Sequence, residues 1–124
     1  MSACRTTGRQ LSCPLSEPQR PGRCHWCDRK LTGRRTRWCS NKCRWTATVE
    51  HRWTNARKAI KGRAAVWACE VCGVHTDKIE VNHILPCKGK HGLWGCWHHS
   101  DNLQLLCHGC HVVETNRQRK AGEL

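Results

Sequence analysis

Two sets of paired cysteines constrain this chain more than any other feature: Cys24-x2-Cys27 with Cys39-x3-Cys43, and Cys69-x2-Cys72 with Cys107-x2-Cys110. Four thiolates in two close pairs can wrap one tetrahedral Zn2+ at about 2.3 Å, and the ion then stands in for an apolar core. A stand-in is needed here. Leu, Ile and Val number only 19 of 124 residues, Phe and Tyr are absent, and the net charge is +13. Without cross-links such a composition reads as disordered. Disulfides are the other use of paired cysteines. The opening residues 1–8 carry no apolar run of the kind a secretory signal needs, so the expectation is a cytoplasmic, intracellular chain with reduced thiols. No stretch approaches the roughly 20 apolar residues that span a bilayer, so no membrane partner is expected. The expected class is a small, zinc-stabilised α+β protein with two structural Zn2+.

Residues 1–22 hold three of the four prolines (Pro14, Pro18 and Pro21) and no periodicity, which reads as a flexible leader. Cys4 and Cys13, within it, read as unpaired thiols. Residues 23–63 form a basic zinc module and helix. Ser40 is placed to cap a helix beside Cys43, and Trp45, Val49, Trp53, Ala56 and Ile60 recur at steps of three and four. One amphipathic helix from about Asn41 to Ala59 is the expectation, with Trp45 and Trp53 in the core and Gly62 as the stop. Residues 64–124 form a second module: a turn at Val71 to Gly73, strands Ile79–Leu85 and Leu103–Leu106, and a helix from Gly109 to about Lys120.

Charge is divided unevenly. Residues 20–63 carry 14 Lys or Arg against Asp28 and Glu50, whereas residues 64–124 carry equal numbers of acidic and basic side chains. A basic run interleaved with Trp is the footprint of a surface that grips a polyphosphate. Arg34, Arg35, Arg37, Arg44, Arg52, Arg57, Lys58, Lys61 and Arg63 are the candidate DNA contacts, with double-stranded DNA the expected partner.

The segment 87–99 contains ligands enough for a third zinc: Cys87 and Cys96 with one or two of His91, His98 and His99. Its spacing matches no standard pattern, and the preferred expectation is a substrate loop with free thiols. Trp94 and Trp97 within it are candidate base-stacking platforms, or packing residues of a minor core.

Structural zinc explains a fold and leaves Asn82, His83, Asn102 and His111 unused. The run Cys69-Glu70-Val71-Cys72-Gly73, Val81-Asn82-His83-Ile84-Leu85-Pro86, Asn102-Leu103 and Leu106-Cys107-His108-Gly109-Cys110-His111 resembles the four-cysteine form of the HNH endonuclease family, over residues from about 66 to 118. The resemblance implies a ββα-metal, treble-clef-like motif, preceded here by a zinc-ribbon or treble-clef-like module with a long basic helix. It also implies phosphodiester hydrolysis at one catalytic divalent ion (Mg2+, Mn2+ or Ni2+). In that reading His83 is the general base, His111 a ligand of the catalytic ion, and Asn102 the residue that braces the loop. Asn82 occupies the other ligand position, where the family usually has Asp or a second His. An imidazole suits a base at neutral pH, and a cation suits the charge growing on a departing oxygen. Alternatives stay open. His83 and His111 are also explicable as partly buried histidines bonded to backbone, or His111 as a substitute zinc ligand; the whole chain is also explicable as a catalytically inactive nucleic-acid-binding regulator or adaptor, or as an RNA-directed zinc protein.

Overall fold

The computed structural model describes residues 13–124; Cys4 lies outside them. Three α-helices and one two-stranded antiparallel sheet form its regular framework: α1 (Asn41–His51), α2 (Trp53–Arg63), β1 (Glu80–His83), β2 (Leu103–Leu106) and α3 (His108–Lys120), with short 3-10 turns at Pro14–Ser16, Cys96–His98 and Ser100–Asn102. No helix among the described residues is long and apolar enough to cross a membrane.

The same local device occurs twice. At Cys24 and again at Cys69 the chain makes a tight turn closed by backbone bonds: Cys24 N–H to Arg29 O (2.7 Å) and Asp28 N–H to Cys24 O, then Cys69 N–H to Val74 O and Gly73 N–H to Cys69 O (both 2.9 Å). The turn requires a left-handed residue, supplied by Asp28 (φ 64°) and Gly73 (φ 79°). Each turn is answered by the start of a helix. Ser40 accepts from Cys43 N–H at 3.2 Å to cap α1, and the Cys107 sulfur accepts from Cys110 N–H at 3.5 Å to cap α3.

The single helix expected from Asn41 to Ala59 is two helices. Arg52 is extended (φ −106°, ψ 122°), so α1 stops at His51 and α2 restarts at Trp53. The break has a tertiary cause. The His51 carbonyl accepts from Gly95 N–H at 3.0 Å, and the His51 ring is fully buried beside Cys13. Breaking the helix also breaks its apolar stripe. Trp45, expected in the core, is 60% exposed, whereas Trp53, Ala56 and Ile60 turn onto the sheet. Gly62 does not end α2, which runs one residue further to Arg63. The first strand is shorter than expected, Glu80–His83, and α3 begins one residue earlier, at His108.

The sheet pairs Glu80 with Leu106, Val81 with Leu105, Asn82 with Gln104 and His83 with Leu103. Alternation sends Val81, His83, Leu103 and Leu105 to one face and Glu80, Asn82, Gln104 and Leu106 to the other. The first face meets α2, with Ala56, Trp53 and Ile60 packed beside Val81 and Leu105. The second meets α3, whose His108 and His111 bond Glu80. The main apolar cluster therefore spans the boundary drawn at residue 63. Of the leader expected over residues 1–22, residues 1–12 lie outside the described ones, and in the described part Cys13 and Leu15 are buried with Ala47 and Cys96 in a second cluster.

Candidate active site and metal centres

Each cysteine quartet takes two sulfurs from a turn and two from the start of a helix. Among Cys24, Cys27, Cys39 and Cys43, and among Cys69, Cys72, Cys107 and Cys110, the ligand atoms all lie within 4.8 Å of one another. The separations Cys27–Cys39, Cys39–Cys43 and Cys72–Cys107 are 3.4, 3.6 and 3.7 Å. A disulfide needs about 2.05 Å, and a ZnS4 tetrahedron has edges of about 3.8 Å. Both quartets can hold zinc.

The electrostatics favour an ion as well. Burial opposes ionisation of Cys24, but N–H groups of Cys27, Cys39 and Trp26 outweigh it and hold the thiol down to about 6. Cys69 is likewise held to about 6, the N–H groups of Cys72, Cys107 and Val71 prevailing over desolvation. The last sulfur of each set goes the other way. Burial and then Cys39 push Cys43 up to about 12, and Cys107, Cys69 and Cys72 push Cys110 up to about 12. A divalent cation removes this conflict, because it lets all four sulfurs ionise together.

The second centre is a cleft of about 220 Å³ between the end of β1, α3 and the loop 86–91, lined by Asn82, His83, Cys87, His91, His111 and Thr115 among others. His83 and His111, from different elements, thus open onto one space. A neighbouring pocket along α3 is lined by His111 and Thr115 as well, together with Glu80 and Asn116.

The hydrogen bonds around His83 settle its tautomer. His98 Nε2 lies 3.0 Å from Leu93 O, which can only accept, so that nitrogen carries the proton. His98 Nδ1 then holds a lone pair and accepts from His83 Nε2–H at 3.0 Å. His83 is left with its lone pair on Nδ1. Burial, followed by His98, His91 and His111, pushes this imidazole down to about 3, so the ring is neutral at pH 7 but a weaker proton acceptor than the ordinary imidazole expected from the sequence. Trp53 lies against it, ring centroids 4.5 Å apart.

Glu80 performs the corresponding service for His111. Its Oε1 accepts from His111 Nδ1 at 2.6 Å, which leaves Nε2 to coordinate. The bond from His111, and then that from His108, hold the Glu80 carboxyl below its usual range. Asn82 is buried, and its Nδ2 has no hydrogen-bond partner. Amide nitrogen and oxygen are interchangeable by a flip, so the same position can present an oxygen to a cation. An imidazole and an amide oxygen are both ligand types that divalent cations accept. Asn102, fully buried, holds the loop at both ends: its Oδ1 accepts from Leu85 N–H at 2.9 Å, and its Nδ2 donates to Leu85 O and Trp97 O at 3.1 and 2.8 Å.

The segment 87–99 is not organised around a single site. Cys96 and His99 group with Cys13 and His51; Cys87 and His91 group with His83. His98 serves His83. Glu80 could have been noticed in the sequence, since it stands two residues before Asn82 and so shares its strand face. Cys13 and His51 carry no such signal. Of the candidate DNA contacts, Arg34, Arg35, Arg37, Arg44, Arg52, Arg57, Lys58 and Arg63 are exposed, while Lys61 is half-buried with its amine 4.6 Å from the Trp67 ring. Trp94 is 39% exposed and stacks on His51. No family model, no curated protein and no solved structure matches this chain.

Proposed function

We propose that this chain is a metal-dependent endonuclease acting on double-stranded DNA, with residues 64–124 as an HNH nuclease module of ββα-metal fold and residues 23–63 as a basic, treble-clef-like zinc module. The observation that carries the reading is the convergence of His83, Asn82 and His111 on one cleft beside an antiparallel strand pair and a helix.

In the proposed reaction His83 Nδ1 takes a proton from water as the water oxygen bonds to phosphorus. The P–O3′ bond breaks, leaving a 5′-phosphate and a 3′-hydroxyl once the 3′ oxygen has taken a proton from solvent. His98 and the Leu93 carbonyl hold the imidazole in the required tautomer and disperse the charge it gains. Asn102 keeps the loop carrying His98 in place. His111, aimed by Glu80, and Asn82 would hold the divalent ion, which supplies charge neutralisation at the phosphate and leaving oxygen.

Supercoiled plasmid incubated with the zinc-loaded chain and Mg2+, Mn2+ or Ni2+ tests this. Open circles in at least one metal are expected. Binding without nicking in all three would make the protein an adaptor.

Two further outcomes follow. A neutral amide holds Mg2+ less firmly than a carboxylate, so Asn82→Asp should raise Mg2+-supported nicking several-fold, measured as initial rate against metal concentration. Unchanged metal dependence would remove Asn82 from the coordination shell. Affinity for DNA should fall steeply with salt, and replacing Arg57 and Lys58 together by alanine should lessen the slope of log K against log salt by about two, if both neutralise phosphates.

A further inference from the structure

Cys13, His51, Cys96 and His99 converge with their ligand atoms all within 4.8 Å of one another, and all four residues are buried. We propose that they form a third resident zinc site, a closed Cys2His2 centre that staples the chain's beginning to the end of α1 and to the loop that leads into β2.

The geometry supports a tetrahedral ion. Cys13 Sγ stands 3.3 Å from His51 Nε2, close to the roughly 3.5 Å edge between sulfur and nitrogen ligands on zinc. Both imidazoles are oriented as zinc ligands are. His51 Nδ1 donates to Ala47 O at 2.6 Å, and His99 Nδ1 meets Glu50 Oε2 at 3.3 Å. In each ring this commits the Nδ1 proton outward and turns Nε2 to the ligand role. Glu50 is itself fixed by Ser100 N–H, which donates to its Oε2 at 3.1 Å.

The donor set chooses the metal. Two thiolates and two imidazoles suit zinc and reject Mg2+ or Ca2+. Four protein ligands, each at most 6% exposed, leave no position for substrate, so the site is structural. Its place in the fold gives it work to do. Leu15 and Ala47 are the other buried members of this cluster, with Trp26 and Trp38 at its margin, and that is too little apolar surface to bring three distant segments together. Stacking of the Trp94 ring on His51 (centroids 5.1 Å apart) covers one side. The site also anchors His98, which lies between Cys96 and His99 and bonds His83; this last link rests on the proposed nuclease reading, whereas the site does not.

Zinc content of the full chain, purified with zinc and dialysed against a weak chelator, is the test. Replacing Cys13 and Cys96 together by serine should lower it by one ion per chain, with both cysteine quartets still loaded. Equal content in wild type and double variant would overturn the site, as would a Cys13–Cys96 disulfide in the wild type. Should the variant be insoluble, the cobalt-loaded wild type decides: ligand-field bands of an S2N2 site beside those of S4 sites support the proposal, and S4 bands alone contradict it. Plasmid nicking is not the readout, so an inactive but three-zinc protein would refute the nuclease and leave this site standing.

Discussion

Replacing His83 by alanine should cut metal-dependent plasmid nicking by about 10²-fold, the lower end of what a positioned general base contributes, because the burial that keeps the ring neutral also weakens it as a base, while DNA affinity stays within about twofold of the wild type. The size of the effect follows from how completely the ring is committed. His98 accepts the hydrogen bond from its Nε2–H and Trp53 covers its face, so Nδ1 alone is left to meet a water molecule in the cleft. No neighbour can substitute. His91 is on the exposed side of the cleft, and His111 is bound through Nδ1 to Glu80. Because truncation removes a ring that packs on Trp53, zinc content and helical circular dichroism must be checked alongside. His98→Ala should give a smaller loss with the same sign, since it frees the tautomer and leaves the base in place.

Removing zinc should have the largest structural effect: the chain loses most of its helical signal when a strong chelator strips the quartets, and regains it when zinc is returned. Structural zinc in small finger peptides contributes about 10–16 kcal/mol at neutral pH. The apolar clusters cannot make up that loss. Seven buried residues form one and four the other, and cysteines are members of both. Cys69 is the more damaging single replacement within its quartet, because it is buried against the sheet while Cys72 is exposed at the tip of the turn. Cys69→Ser should therefore lower the thermal midpoint further than Cys72→Ser. Retention of full helical structure after complete zinc removal would refute the view that ions replace the core.

What the sequence made legible is what rests on near neighbours. The spacing Cys69-x2-Cys72 and Cys107-x2-Cys110 specifies two local turns, and β2 at Leu103–Leu106 and the Ser40 cap are equally local events. The break at Arg52 was not legible, because nothing between residues 41 and 63 demands it. It is imposed by Gly95 bonding the His51 carbonyl, and a side chain at 95 would collide with the Trp97 ring. The apolar stripe from Trp45 to Ile60 was therefore read with one period where two helices with different faces exist. Cys13 was assigned to a loose leader because proline-rich polar sequence has that character on average. Its burial depends on His51, 38 residues away. The role of His98 is likewise a matter of hydrogen-bond direction, which spacing does not encode. His83, Asn82, Asn102 and His111 stood out by pattern and Glu80 was within reach through its i, i+2 relation to Asn82, whereas His98, which aims His83, needed the fold.

The division of labour in the cleft is tested most directly by Mn2+ titration of the zinc-loaded chain, followed by electron paramagnetic resonance, in wild type and in His83→Ala. The account predicts that the variant binds Mn2+ as the wild type does and fails to nick DNA, because His83 moves a proton and His111 and Asn82 hold the ion. Loss of Mn2+ binding in the variant would contradict it by making His83 a ligand, with Cys87 and His91 as its partners; so would nicking at the wild-type rate.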